Sequence, residues 1–267
     1  MNNDNSLTLA FSCLGERLPT LLENLAGLIG LVSENIHFLV VVQKWNAEQK
    51  CMVEPKSVQL CFLPSIGLSK SRNAVIDNAK TSHVWFLDDD VQLTVENIVE
   101  AEKLLDSDKA NFYRVNIGCI EWHDKTFKQY KKVKNVSRLN LLQVSSIEII
   151  ADLEFIKINN IRFNEKIGLG TDYQGAEEIH FLLDAWDKGA SFSFIDDVLV
   201  RHTCIFEQRV LSNKNIFTIR GATASRFGFT GYLLLIRWAM RYIIKERNIS
   251  NVLAMFKGFF RGYTSFK

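Results

Sequence analysis

Short apolar runs alternate with helically spaced leucines through the first part of the chain. Leu7–Ser12, Ile36–Val42, Val58–Leu63, His83–Leu87 and Asn111–Ile117 are compact apolar stretches. Ile36–Val42 and His83–Leu87 in particular read as strands buried on both faces. Between them, Leu18–Leu31 sets Leu18, Leu21, Leu22, Leu25 and Leu28 on one helical stripe. Ser69–Ala79, entered through Gly67, and Thr94–Leu105 also read as helices. Thr94 and Asn97 stand near the start of the latter, where a side-chain cap belongs. Strand and helix alternating in this way predict an α/β fold: a mostly parallel sheet with flanking helices. Ligands of such sheets sit outside the carboxyl ends of the strands.

The pattern loosens from Gly118 to about Ile161. Within it, Lys125–Arg138 interleaves six cations with Phe127 and Tyr130. A charge run of this kind reads as a solvated loop or hairpin, or as a wall of an acceptor site. Ala176–Asp187 predicts a helix opening on Glu177 and Glu178, and Ser191–Ile195 and Val198–Val200 predict two short strands. Tyr232–Arg247 is apolar on most sides but carries Arg237, Arg241 and Lys245 at a spacing of four. Met255, Phe256, Phe259 and Phe260 follow, with Lys257 and Arg261 among them. No repeat or low-complexity segment interrupts the chain. These features predict a catalytic domain over 1–205, with halves of about 1–117 and 118–205, and a basic helical region over 206–267.

Charge changes the picture more than composition does. Over 267 residues the net charge is only +2, which excludes a strongly basic whole-chain nucleic-acid binder. Residues 201–267, however, hold 12 Lys and Arg against Glu207 and Glu246, and the remainder is net acidic. The acidic body suits divalent cations and the basic tail suits an anionic surface. The five cysteines, Cys13, Cys51, Cys61, Cys119 and Cys204, form no CxxC pair. Their scatter predicts free thiols in a reducing compartment rather than a zinc site or disulfide framework. The polar start, Met1–Ser6, has no basic n-region, and no apolar run reaches the ~18 residues of a membrane span. The expected location is cytoplasmic.

Three constellations carry chemistry. Trp85-Phe86-Leu87 runs directly into Asp88-Asp89-Asp90. Adjacent carboxylates repel one another unless a cation offsets them, and hard divalent ions take one or two carboxylates together with substrate phosphates. Gly67-Leu-Ser-Lys-Ser-Arg72-Asn73 offers a glycine turn, a helix start and cations to an anion or nucleotide. Gly168-Leu-Gly170-Thr-Asp172-Tyr-Gln-Gly175-Ala-Glu177-Glu178 delivers two carboxylates to a helix start, where one can take a proton from a hydroxyl. His202 follows Leu199-Val200-Arg201 as a candidate metal ligand.

In this order, and over roughly Leu7 to His202, the segments resemble glycosyltransferase family 2, with its GT-A, Rossmann-like sheet. The resemblance implies inverting transfer from a nucleotide sugar, commonly a UDP-sugar, with manganese or magnesium. It implies donor contacts from Arg72, Asp88, Asp89 and Gln43, and a metal held by Asp90 and His202. Glu178 would be the general base and Glu177 would orient the acceptor, or the two roles would be exchanged. Two departures stand out: Phe11–Arg17 replaces a Pro-Thr-x-Asn stretch, and Gln43 occupies a position that is often Asp. Leu234 stands where processive members carry the Gln of Gln-x-x-Arg-Trp, ahead of Arg237-Trp238, which implies a non-processive enzyme. The implied acceptor is a glycan or lipid-linked glycan of surface polysaccharide synthesis, with residues 230–267 meeting an anionic membrane at its inner face. No nucleic-acid partner is implied. Two other readings compete. One is a transferase-like sugar- or membrane-binding module without activity. The other is a haloacid-dehalogenase-like phosphohydrolase using Asp196-Asp197, against which Gln92 replaces the Thr or Val that class requires.

Overall fold

The structure is a computed structural model describing residues 5–50, 57–205, 214–246 and 249–266. Met1, Cys51, Glu207, Arg247 and the side chain of Lys245 lie outside the described residues. The chain divides into two compact units. The first comprises Met1–Ile66, Lys70–Arg162 and Leu182–Glu207, and the second Gly67–Ser69, Phe163–Phe181 and Gln208–Lys267.

The first unit is built on a seven-stranded sheet. Its strands are β1 (Leu7–Leu14), β2 (Ile36–Gln43), β3 (Val58–Phe62), β4 (His83–Asp88), β5 (Phe112–Cys119), β6 (Ile149–Asp152) and β7 (Phe192–His202), in the order β3-β2-β1-β4-β6-β5-β7. All neighbours run parallel except β6, which is antiparallel to both β4 and β5. The helices up to residue 187 are α1 (Leu18–Ala26), α2 (Ala47–Lys50), α3 (Leu68–Asn78), α4 (Val95–Ser107), α5 (Leu153–Ile158) and α6 (Glu177–Asp187), of which α3 and α6 begin with residues of the second unit. Alternate residues of a strand share a face. Leu7, Leu9 and Phe11 of β1 accordingly join Phe38, Val40 and Trp85 in one core, closed by Leu18, Leu21 and Leu25 of α1 and by Ile98 and Ala101 of α4. Central strands burying such residues on both faces explain the unbroken apolar runs.

Several expectations change. The leucine stripe predicts a helix to Leu31, but α1 stops at Ala26. Gly27 follows, and Gly30 takes φ +83°, a left-handed turn that glycine adopts without strain. The two strands expected near residues 191–200 are one, β7, whose register against β5 shifts between Arg114 and Ile117. The irregularity leaves Asp196 and Asp197 exposed. The expectation of free thiols throughout is overturned: Cys119 and Cys204 form a disulfide across 85 residues, with Cα atoms 5.3 Å apart. Spacing could not show it, because the pairing is made by topology. β5 and β7 are parallel neighbours with Cys119 in register with His202, so Cys204 lies just beyond the same edge. Cys13 and Cys61 are free.

The second unit contains α7 (Lys214–Ser225), α8 (Gly228–Glu246) and α9 (Ile249–Arg261). Phe217, Leu235, Ala239, Val252 and Met255 form its main core. The packing of α7 on α9 requires glycine. A Cβ on Gly221 would lie 1.8 Å from the Met255 carbonyl oxygen, and one on Gly258 would lie 1.8 Å from that of Thr218. No helix among the described residues is long and apolar enough to cross a membrane.

Candidate active site

β4 ends at the sheet's carboxyl edge in Asp88, and Asp89 and Asp90 form the turn that follows. The repulsion expected of three adjacent carboxylates is met by two guanidinium groups and an imidazole from three separate segments. The Arg72 guanidinium, on buried α3, lies 3.6 Å from Asp88. Arg17, in the short 3-10 turn after β1, lies 2.8 Å from Asp89. His202, the last residue of β7, lies 3.3 Å from Asp90. The three carboxylates differ in access. Asp89 is nearly covered, with 7% of its side chain exposed, and it also accepts the Leu14 amide at 3.3 Å. Asp88 and Asp90 keep 35% and 49% of their side chains exposed. The hydrogen bond from His202 holds the Asp90 carboxyl below its usual range, and the same bond raises the imidazole above its own.

The Asp90–His202 pair is set by the chain around it. The strand leaving the turn pairs back on β7, with Gln92 and Arg201 exchanging backbone hydrogen bonds of 2.9 and 3.0 Å. His202 Nδ1–H donates to the Thr203 carbonyl oxygen at 2.9 Å, which turns Nε2 toward Asp90; Nε2 donates to Asp90 when the ring is protonated and presents a lone pair to a metal when it is not. Glu121 accepts the Thr203 hydroxyl and, at 2.9 Å, the Cys204 amide. Arg201 donates to the Cys119 carbonyl at 2.9 Å. With the disulfide, these contacts fix the segment that carries His202.

Gln43 ends β2 beside Leu14 of β1, near the Asp89 contact, and its amide nitrogen donates to the Ser65 carbonyl at 3.1 Å. Ser12 and Ser71 share a 2.8 Å hydroxyl hydrogen bond at the same edge. The first unit thus brings Arg72, Asp88, Asp89, Asp90 and His202 together, with Gln43 two strands from β4. The basic run is not a wholly solvated loop. Lys131, Lys132 and Lys134 are exposed, but Lys128 and Tyr130 turn inward onto buried Glu148, at 2.6 and 2.5 Å. Burial, and then Glu148, push the Tyr130 phenol well above its ordinary range, so it stays a donor.

Glu177 and Glu178 belong to the second unit. They open α6 behind the glycine-rich segment, in which Gly168, Gly170 and Gly175 all adopt positive φ. Gly168 is confined as well: a Cβ there would lie 2.9 Å from Ser69 Oγ and 3.3 Å from the Glu177 carboxyl carbon. Glu177 is only 5% exposed, whereas Glu178 is half-buried. His180, one turn along, is buried, stacks on Tyr263 at 3.7 Å and meets the Thr223 hydroxyl at 2.9 Å.

Asp90 and His202 offer a carboxylate oxygen and an imidazole nitrogen to a divalent cation. No group of three or more His, Cys, Asp or Glu side chains among the described residues could hold a metal ion. This donor set fits an ion that completes its shell with substrate phosphate and water rather than one caged by protein. Sequence reasoning missed Arg17 as the partner of Asp89, the Glu121 clamp, the Gln92–Arg201 bridge and Glu148. Each of these is a contact between segments distant in the chain, without a local signature.

A mostly parallel α/β sheet with an Asp-rich turn at its carboxyl edge is the arrangement of the GT-A fold. The profile described as Glycosyl transferase family 2 matches residues 38–172, just over half the chain, and the chain belongs to that family. The crystal structure of S. aureus TarS 1-349 superposes with a TM-score of 0.63 at 17% identity, over 91% of this chain and 73% of that one. TarS 1-349 in complex with UDP-GlcNAc gives 0.62 at 17% identity, over 82% and 65%. TarS 1-349 in complex with UDP gives 0.60 at 16% identity, over 91% and 73%. At such identity the likeness concerns the fold. No curated protein matches in sequence.

Proposed function

We propose that this family 2 glycosyltransferase is inverting, non-processive and metal-dependent. It moves a sugar from a UDP-sugar to a glycan or lipid-linked acceptor in surface polysaccharide synthesis, in the cytoplasm at the inner face of a membrane. The observation that carries the reading is the Asp88–Asp90 turn, whose two accessible carboxylates face buried or clamped cations at 3.6 and 3.3 Å. The structures of TarS with UDP and with UDP-GlcNAc support a uridine donor.

Arg72, Asp88 and Gln43 contact the donor's nucleoside side in this proposal. Asp89 contributes by holding Arg17 and the end of β1 in place. Asp90 and His202 would hold a divalent cation, which supplies positive charge to offset the departing diphosphate. The acceptor hydroxyl oxygen bonds to the anomeric carbon while the bond from that carbon to the diphosphate oxygen breaks. The electron pair leaves with the diphosphate, and the configuration inverts. The hydroxyl proton passes to a carboxylate. Glu178 is proposed as that base, since it is the more accessible of the pair, and Glu177 as the group that orients the acceptor.

A thermal-shift panel of UDP, GDP, CDP and dTDP, each with and without manganese, tests the donor site. A ligand at a hundredfold excess over its dissociation constant stabilises by about 2.7 kcal/mol. The expected result is a manganese-dependent shift with UDP that Asp90→Asn abolishes. A folded protein that responds to none of the nucleotides would overturn the proposal.

A further inference from the structure

The helices of the second unit bury one side and leave an apolar stripe on the other. On α8 the exposed residues Phe229, Leu233, Met240 and Ile244 recur at intervals of four and seven, one face of a helix. Phe229 and Ile244, at the two ends, are 77% and 78% exposed. On α9 Ile249, Leu253 and Phe260 repeat the same intervals and are exposed to a similar degree. Side chains of this size at such spacing are the ones a helix normally buries.

The cations follow the stripes by a fixed rule. Arg237 and Arg241 stand four residues after Leu233 and one after Met240. Lys257 and Arg261 stand four after Leu253 and one after Phe260. All four are exposed. At ~3.6 residues per turn, both offsets put the charge on the same flank of its stripe. The same device therefore occurs on two consecutive helices. From Lys214 to Phe266 the sequence holds a single acid, Glu246, so nothing acidic lies on either described stripe.

We infer that α8 and α9 form a docking surface for an anionic phospholipid membrane, on which the protein lies without spanning it. Apolar side chains flanked by Arg and Lys enter the boundary between headgroups and acyl chains while their charges meet anionic headgroups. A soluble polyanion would satisfy the charges and leave the stripes wet. A second copy of this surface would satisfy the stripes but set cation against cation. Of the three, the anionic bilayer answers both. The inference rests on the second unit's own surface and gives the proposed location at a membrane its means of attachment. Vesicle binding is read without turnover, so it succeeds or fails separately from the donor-site proposal.

The experiment is co-sedimentation of the full chain with vesicles of phosphatidylcholine alone and of phosphatidylcholine with phosphatidylserine. Wild type should bind the anionic vesicles and release in high salt. R237Q/R241Q/K257Q should weaken binding about a hundredfold, since one charge near such a surface is worth about fivefold. Phe229→Ser with Phe260→Ser should also weaken it while leaving the melting temperature and the UDP-induced shift in place. Arg237, Arg241, Lys257 and the two phenylalanines lie on the exposed face, so unchanged melting separates lost binding from lost folding, whereas Arg261 is left in place because its guanidinium lies over the Phe266 ring at 4.7 Å. Absence of wild-type binding to anionic vesicles, or equal binding by the charge variant, would overturn the inference. So would a dimer in sedimentation velocity that the two serine substitutions dissolve.

Discussion

Two groups of carboxylates in the first unit are handled in opposite ways. Glu148 is 0% exposed and fully occupied: Lys128 at 2.6 Å, Tyr130 at 2.5 Å and the Ser145 amide at 2.5 Å all donate to it. The turn at Asp88–Asp90 has a basic side chain for every carboxylate, yet two of the three contacts exceed 3.2 Å and two side chains remain open. A buried charge is retained only when its hydrogen bonds are complete. A half-open charge with a long contact keeps capacity for another partner. The first arrangement holds the fold together, and the second leaves room for a ligand. The acidic pair of the second unit differs in access alone: Glu177 is covered and Glu178 is half-buried.

The sharpest way to break this comparison is to exchange the expected phenotypes. Glu178→Gln removes the proposed base without removing bulk, and transfer to the acceptor should fall about 10²–10⁴-fold. The UDP-induced thermal shift should persist. A variant that keeps its turnover would show that accessibility does not identify the base, and Glu177→Gln would then be measured in its place.

Glu148→Ala should act on stability instead. It removes the carboxylate that accepts from Lys128, Tyr130 and the Ser145 amide and that offsets the charge of buried Arg114, whose guanidinium is already pushed below its usual range by burial. Removing one member of a buried ion pair costs about 3–5 kcal/mol, to be read from urea unfolding. The UDP shift of the remaining folded protein should be unchanged. Loss of nucleotide binding at full stability would mean that Glu148 belongs to the site and that the comparison is wrong.

Cys119→Ser with Cys204→Ser tests the frame around His202. Opening a loop of this length typically costs about 2–5 kcal/mol. The loss should be matched by adding dithiothreitol to wild type under the same denaturant. The variant should need more UDP for the same shift if the disulfide also keeps His202 at Asp90. An equal nucleotide response would leave that task to Glu121, Arg201 and the bridge at Gln92.

Much of the sheet was legible in the sequence because strands buried on both faces cannot hide: Phe38–Val42 of β2 and Val84–Leu87 of β4 are continuous apolar runs. The Asp turn was legible because its residues are adjacent. The antiparallel β6 was not, since four residues after a charge-rich, irregular stretch carry too little periodicity. The Cys119–Cys204 bond, the Arg17–Asp89 pair and the Glu148 pocket join residues that only the strand order brings together. The cations of Lys125–Arg138 looked alike as a run. Their division into inward Lys128 and outward Lys131 is decided by packing against Glu148, which lies 20 residues from Lys128.

The smallest effect concerns the exit of the chain from the turn. Thr94 caps α4: its hydroxyl accepts the Asn97 backbone amide at 3.3 Å, and the Asn97 side-chain Oδ1 accepts the Thr94 backbone amide at 3.2 Å. The Asn97 side chain also reaches the Val198 carbonyl of β7 at 3.4 Å. Thr94→Ala deletes one acceptor and should cost about 1 kcal/mol, a fall in melting temperature of about 2–4 °C for a chain of this size. Thr94→Ser, which keeps the oxygen, should recover most of it. Thr94 stands four residues beyond Asp90, so the UDP shift discriminates between two sources of order in the turn. If the ion pairs and the Gln92–Arg201 bridge position Asp90, nucleotide binding survives the loss of the cap. If binding falls with the cap, the helix start sets the geometry of the turn, and the contacts between carboxylates and cations are its consequence.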